Sequence, residues 1–143
     1  MTNTSDKTFL GIDYGERRIG IAKSDPTGLI ASALTTLVVR SRQHAVDELL
    51  RLIAEYEPAG LVVGYPLLPS GDKSKKCEQI DRFLLLLQKS FTGPIYREDE
   101  RYSSTEAADI IHAHGKRTGK DKKRIDRLAA VIILQRFLDE NRT

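Results

Sequence analysis

The stretch that decides the fold is residues 11–25, GIDYGERRIGIAKSD. The pattern predicts a buried strand ending at Asp13, a short turn through Gly15 and two arginines, and a second apolar strand. Burying a carboxylate at the end of a strand is costly unless other groups compensate its charge. Asp13 could equally be the acid of a tight turn. The rest of the chain has to decide between these two explanations.

Strands and helices follow this hairpin in a definite order. A third strand is predicted from Gly28, after a Pro–Thr–Gly turn. The hydrophobic period then becomes helical, and strand-like and helix-like segments alternate. The predicted helices lie within residues 41–58, within 70–90 after a polar loop, at 103–115 (with a capping box of Ser103 and Glu106), and from about Lys122 to Asn141. The predicted strands between them lie at 60–66 and 93–99.

This order predicts an α/β fold of the ribonuclease H-like class. A hairpin-connected trio of strands followed by strand–helix alternation implies a five-stranded mixed sheet, with helices on both faces. We expect the strand order 3-2-1-4-5, with strands four and five parallel to strand one. Nothing in the sequence divides it into two domains, so residues 1–143 are predicted to form one, with flexible ends at about 1–7 and 140–143.

Composition limits the function classes. The chain has 143 residues, of which 40% are hydrophobic and 30% charged, as in an ordinary globular domain. No apolar run approaches the roughly 20 residues of a membrane span, and no secretory signal is visible. Cys77 is the only cysteine, so the chain forms no internal disulfide. We therefore expect a cytoplasmic protein with no membrane partner.

Three groups of acids have positions that the topology makes informative. Asp13 ends the first strand, and Glu98, Asp99 and Glu100 lie at the end of the fifth. Parallel strands bring these ends to one edge, where ligands bind in open α/β sheets. Asp126 begins the apolar face of the last helix, so it should face the sheet. Asp13, Asp126 and an acid of the Glu98–Glu100 group are thus predicted to converge.

Converging carboxylates repel each other unless a cation lies between them. Mg²⁺ or Mn²⁺ would serve, because hard cations prefer oxygen ligands, and a pair of such ions supports phosphodiester hydrolysis. Each acid also has a simpler explanation: Asp126 could serve the helix dipole, and the acids near Glu100 could belong to a solvated loop. The combination favours a catalytic metal site.

Basic residues flank the predicted site. The net charge is +3, and six of the nine residues at 116–124 are lysine or arginine. We expect these cations to attract a nucleic-acid backbone without reading its sequence. The predicted phosphate-binding residues are Arg17, Arg18, Arg101, Lys116, Arg117, Lys120, Lys122, Lys123 and Arg124.

Four segments resemble motifs of the YqgF/RuvX family. They are GIDYGERRIGIAKSD, VVGYPL, DERYSSTEA and IDRLAAVIILQRFL, and they occur in the family's order. The resemblance spans about residues 8–139 and implies a ribonuclease H-like fold related to the resolvase RuvC. It places the family's acidic triad on Asp13, Glu100 and Asp126. One departure is Lys23, where the family normally has an uncharged residue.

The resemblance implies a bacterial cytoplasmic nuclease that matures the 5′ end of precursor 16S rRNA. With Mg²⁺ or Mn²⁺ as cofactor, Asp13 would bridge two ions, and Glu100 and Asp126 would complete one site each. Water would attack phosphorus in line and leave 5′-phosphate and 3′-hydroxyl ends. The expected partners are pre-16S rRNA and ribosomal particles, with the protein a monomer or weak homodimer.

Other functions stay open from sequence alone. A Holliday junction resolvase acting on branched DNA would use the same acids. An RNA-binding transcription or ribosome-assembly factor without catalysis would need no inward-facing carboxylates. A sugar kinase or ATPase of related fold normally has two such domains, whereas this chain has the length of one.

Overall fold

The computed structural model describes residues 8–100 and 119–141 of the chain. The elements are β1 (Phe9–Asp13), β2 (Arg18–Ser24), β3 (Ala31–Val38), α1 (Arg42–Tyr56), β4 (Gly60–Tyr65), α2 (Lys75–Leu87), β5 (Ile95–Asp99) and α3 (Gly119–Glu140). The predicted helix at 103–115 and the predicted flexible end at 1–7 lie outside the described residues. At the other end, Asn141 still donates through its backbone and side-chain amides to the carbonyl of Phe137.

The predicted five-stranded sheet is confirmed, with the order β3-β2-β1-β4-β5. β1 pairs antiparallel with β2, and β2 pairs antiparallel with β3. β4 is parallel to β1, and β5 is parallel to β4. The carboxyl ends of β1, β4 and β5 therefore lie together at one edge of the sheet, and Asp13 is at this edge.

The first sheet face packs against α1 and α2. Leu10 and Ile12 point to this side, where Tyr14 also packs against Phe83, with ring centroids 4.6 Å apart. Both helices begin at serine caps, because Ser41 and Ser74 accept hydrogen bonds from backbone amides in the first turns. Helical spacing of apolar residues in the sequence predicts one stripe on α2, and its members are fully buried: Ile80, Phe83, Leu84 and Leu87. Burial of each such side chain contributes roughly 1.5–3 kcal/mol.

The second sheet face packs against α3, which lies very close to the strands. Gly11 on β1 leaves room for Leu134, because an added β-carbon would be 2.7 Å from that side chain. Gly20 on β2 leaves room for the backbone at Asp126 in the same way. Helices thus cover both faces of the sheet, as predicted. The first turns of α3 lie against the strand end that carries Asp13.

The third strand starts at Ala31, three residues after the predicted start at Gly28. The intervening backbone bonds to Asp25, whose carboxylate accepts N–H groups from Thr27, Leu29 and Ile30. Hydrogen bonds, chiefly from the Thr27 hydroxyl, hold the pKa of Asp25 at about 2. The segment is therefore a loop organised by one carboxylate, at the opposite edge from Asp13.

Within residues 8–100 and 119–141, no helix is long and apolar enough to cross a bilayer.

Candidate functional site

Asp13 lies at the end of β1 and faces the α3 side of the sheet. Its side chain is 16% exposed, and Lys76 Nζ lies 3.8 Å from Oδ1. Burial raises the pKa of Asp13 to about 6; Lys76 acts in the opposite direction, and nearby Asp126 raises it further. A nearby cation would therefore stabilise the ionised form of this buried carboxylate and lower its pKa.

Asp126 lies on α3, on the side that faces the strands. Its side chain is also 16% exposed, and Oδ2 accepts from Arg18 Nε at 2.7 Å. The α3 backbone at Asp126 can lie this close to β2 because residue 20 is a glycine, and Gly20 is the β2 partner of Asp13 in the sheet register. A β-carbon on Gly20 would lie only 1.9 Å from the Asp126 carbonyl oxygen. The helix and the hairpin thus bring the two acids together.

Asp13 and Asp126 line one cavity of about 460 Å³, here called the acid cavity. Its wall also contains Arg17, Arg18 and Lys76. Two predicted site acids and two predicted phosphate-binding arginines are therefore brought together. Their arrangement offers oxygen ligands for a hard cation and positive charge for a phosphate in the same space.

Glu100, the third predicted acid, follows β5 and is only 3% exposed. Its N–H donates to the carbonyl of Tyr65 at 3.2 Å, which holds it beside the end of β4. The carboxyl packs over Gly64, where an added β-carbon would be 2.8 Å from it. Gly64 follows Val63, the partner of Ile12, so it lies level with Asp13. Glu100 thus occupies the predicted edge but does not line the acid cavity.

The donor chemistry fits a divalent cation through Asp13 and Asp126, both of which present carboxylate oxygens to the acid cavity. Across residues 8–100 and 119–141, however, no three His, Cys, Asp or Glu side chains are grouped closely enough to hold a metal ion. Glu100 is therefore placed near a two-acid site and does not complete it in this conformation.

The basic residues divide into those the structure describes and those it does not. Arg17, Lys122, Lys123 and Arg124 are exposed, and Arg124 lies 3.9 Å from Asp121. Arg18 instead pairs with Asp126. The remaining predicted phosphate-binding residues, Arg101, Lys116, Arg117 and the Lys120 side chain, lie outside what is described.

Sequence reasoning missed the residues that other segments bring to this edge. Lys76 reaches Asp13 from α2, and Gln79 Nε2 donates to Glu16 Oε1 at 2.7 Å. Arg40 and Arg42, beyond β3, line a larger cavity beside Arg17. The antiparallel register could have predicted the positions of Arg40 and Arg42, because Arg18 pairs with Val38 and the end of β3 therefore lies beside the β1–β2 turn.

Lys23 is explained by the fold. Its ammonium lies over the Tyr56 ring, 5.4 Å from the centroid, on the face covered by α1. Such cation–π contacts are worth about 0.5–1 kcal/mol at exposed positions. The departure from the family motif therefore lies outside the acid cavity and leaves the acids unchanged.

Comparison with known proteins identifies the family. The family model for RuvX, described as a Holliday junction resolvase, matches residues 7–140. The chain belongs to the RuvX family. A relative from Syntrophus aciditrophicus (strain SB) is 40% identical over 131 residues, covering 92% of this chain and 87% of the relative. One from Synechococcus elongatus is 40% identical over 133 residues, covering 93% and 89%. Both carry the name "Putative pre-16S rRNA nuclease".

Solved structures share the RuvX fold. Thermus thermophilus RuvC in complex with a Holliday junction substrate gives a TM-score of 0.57 at 14% identity, covering 94% of this chain and 95% of RuvC. Fowlpox virus resolvase with junction DNA gives 0.58 at 12% identity, covering 95% and 99%. At these identities the likeness establishes the ribonuclease H-like fold alone.

Proposed function

We propose that this RuvX protein is a metal-dependent nuclease that hydrolyses phosphodiester bonds of RNA and matures the 5′ end of pre-16S rRNA. The observation that carries the proposal is the convergence of Asp13 and Asp126 in one cavity, with Arg17 and Arg18 in its wall. The names of the 40%-identical relatives support the choice of substrate.

Asp13 and Asp126 would hold Mg²⁺ or Mn²⁺, with Glu100 as the third ligand. When bound, such an ion supplies an activated water and stabilises the negative charge that develops on the scissile phosphate in the transition state. The Glu100 N–H donates to the Tyr65 carbonyl, and the missing side chain of Gly64 leaves room for the Glu100 carboxyl next to the strand end that carries Asp13. The proposed ligand set therefore consists of Asp13 and Asp126, which share the acid cavity, and the adjacent Glu100.

The chain's own cations would orient the substrate. Arg17 is exposed at the turn, so its guanidinium can bind a phosphate in two-pronged fashion. Arg18 is held by Asp126 and becomes available to phosphate when another cation takes that carboxylate. Lys76 would lower the pKa of Asp13 and keep it ionised for ligand binding. Arg101, Lys116, Arg117, Lys120 and Arg124 remain predicted backbone contacts.

A DNA resolvase is the second candidate, favoured by the family model's description. Symmetric cutting of a junction requires a dimer with two suitably spaced active sites. We propose a monomer or weak homodimer working in the cytoplasm on ribosomal precursors. A stable dimer that requires both copies for cleavage would favour the resolvase instead.

The test compares a 5′-extended 16S rRNA precursor with a four-way DNA junction, each with and without Mg²⁺ or Mn²⁺. The proteins are wild type, Asp13→Asn, Asp126→Asn and, as control, Asp47→Asn, whose carboxylate is exposed on α1. Metal-dependent RNA cleavage should vanish in the first two variants and persist in the control. Cleavage of the junction alone would favour the resolvase, and RNA binding without cleavage by any protein would favour an assembly factor.

A further inference from the structure

A second, larger cavity of about 860 Å³ adjoins the acid cavity, and we call it the basic groove. Both cavities share Tyr14, Glu16, Arg17, Arg18 and Gln79 in their walls. The shared wall means that a chain molecule lying in one can continue into the other. The basic groove is therefore an extension of the proposed cleavage site.

Cations from three separate segments line the basic groove. Arg17 comes from the β1–β2 turn, Arg40 and Arg42 from the β3–α1 junction, and Lys122 and Lys123 from the first turns of α3. All five side chains are exposed, and within the described part of the chain none of them has an ion-pair partner. The wall also holds one acid, Glu16, which accepts a hydrogen bond from the neutral amide of Gln79 and keeps its charge. These five cations outnumber that one acid, so the groove carries a net positive charge.

The three segments are fixed to one another by hydrogen bonds. The N–H of Val39 donates to the carbonyl of Arg17 at 2.9 Å, which joins the end of β3 to the turn. Thr36 Oγ1 donates to the carbonyl of Lys123 at 2.8 Å, which joins β3 to α3. His44 Nδ1 accepts from the N–H of Arg40 at 3.1 Å. The backbone positions that carry the cations are thus fixed before binding, so only their side chains need to be ordered by a ligand.

The shape and surface of the groove suit a single strand. Its volume of about 860 Å³ is enough for a few linked nucleotides, and its cations lie along one path that the phosphates of one strand can follow. The Tyr14 ring is packed on Phe83 and only 5% exposed, so it offers no stacking platform for bases. Recognition would therefore depend on backbone charge and not on base identity.

We propose that the basic groove binds the single-stranded segment next to the cleaved bond, with Arg40 and Arg42 contacting its phosphates. This assignment rests on the proposed nuclease function, since it places the scissile bond over the acid cavity. It makes the substrate a single strand that leads away from the acids, past Arg17 and toward the start of α1.

The experiment measures binding without cleavage. Fluorescent single-stranded RNA and DNA of one sequence are titrated in EDTA over 50–200 mM salt, with wild type and R40A/R42A. A double variant, R51A/K89A, removes the same charge from exposed positions that do not line the groove. Loss of two phosphate contacts should weaken binding roughly tenfold and reduce the logarithmic salt slope by about 1.4, for both nucleic acids.

Equal affinity and salt slope in R40A/R42A and R51A/K89A would overturn the proposal. So would a blunt duplex that competes as well as the single strand, because it would place duplex on this surface. Failure of the nuclease function gives a different result, namely strong groove-dependent binding with no metal-dependent cleavage. The two proposals are therefore separable in one set of proteins.

Discussion

Gly20 lies directly beneath the backbone of Asp126, so close that a β-carbon on Gly20 would come within 1.9 Å of the Asp126 carbonyl oxygen. The clash is with backbone, so a rotamer change cannot relieve it. The position of the acid on α3 thus depends on the absence of a side chain on β2.

Gly20→Ala should displace the first turns of α3, separate Asp126 from Asp13 and abolish cleavage. We expect a loss of about 1–3 kcal/mol in the free energy of unfolding, as for other overpacked sites. Urea unfolding and a cleavage assay measure the two effects. Gly60→Ala is the matched control, because its β-carbon would meet only aromatic ring atoms of Phe9 and Tyr96 at 3.2 Å. A fully active Gly20→Ala protein would contradict the close approach.

Asp13→Asn should stabilise the protein while it removes activity. Burial holds the pKa of Asp13 at about 6, above the ordinary value of 3.8, so the folded state takes up a proton more readily than the unfolded state. The free energy of unfolding therefore falls as pH rises from about 4 through about 6. Near pH 8 in EDTA, the variant should gain about 1–3 kcal/mol.

The gain should nearly disappear near pH 4, where wild-type Asp13 is protonated in the folded protein. Urea denaturation at both pH values measures it, with Asp47→Asn as the exposed carboxylate-to-amide control. A variant that is no more stable than wild type near pH 8 would show that burial of the ionised Asp13 carboxylate does not destabilise the folded protein.

Lys76→Met should raise the pKa of Asp13 above about 6, because the Lys76 ammonium is the group that lowers it. Carbon-13 NMR of the aspartate carboxyls in metal-free protein measures the titration. Lys75→Met is the control, since Lys75 is the exposed neighbour on α2 and has no ion pair among the described residues. An unchanged titration in Lys76→Met would mean that the 3.8 Å approach to Asp13 does not persist in solution.

Asp81→Asn should loosen the end of β4 that holds Glu100. Asp81 accepts from the Tyr65 hydroxyl at 2.8 Å, from Lys73 at 3.1 Å and from Arg97 at 3.2 Å. Burial alone would raise the pKa of Asp81, but these donors hold it below its ordinary value. We expect a loss of about 1–3 kcal/mol near neutral pH.

The wild-type contribution of Asp81 is present above about pH 4 and is lost as pH falls through the lowered pKa. The difference between wild type and Asp81→Asn should therefore narrow in acid, as measured by urea unfolding. Asp72→Asn, which changes an exposed acid in the loop between β4 and α2, serves as the control. A difference that is independent of pH would argue against a charged Asp81 as the anchor.

Much of the fold was predictable because it follows local rules. The hairpin around Gly15 and the stripe beginning at Ile80 follow from hydrophobic period and turn chemistry, and the strand order follows from them. The start of β3 was predicted too early because Asp25 organises the preceding backbone through its side chain. Strand propensity does not include that competition.

The candidate site was predictable in its acids and less so in its cations. Asp13 and Asp126 follow from strand ends and a helix face, and the structure brings them into one cavity. Lys76 and Arg40 belong to elements distant in sequence, so only the assembled sheet brings them near. The sequence also does not show why residue 15 must be glycine. In the structure, a β-carbon there would lie 2.5 Å from the Arg18 carbonyl oxygen, so only glycine fits.

Arg18 belongs to the walls of both cavities while its guanidinium is bound to Asp126. One guanidinium cannot fully serve a carboxylate and a phosphate at once, so an ion on Asp126 and a strand on Arg18 should each favour the other. The consequence is thermodynamic coupling, which is reciprocal by necessity. Mn²⁺ should bind more tightly in the presence of an uncleavable oligonucleotide, and Arg18→Met should remove that cooperativity, as calorimetry would show.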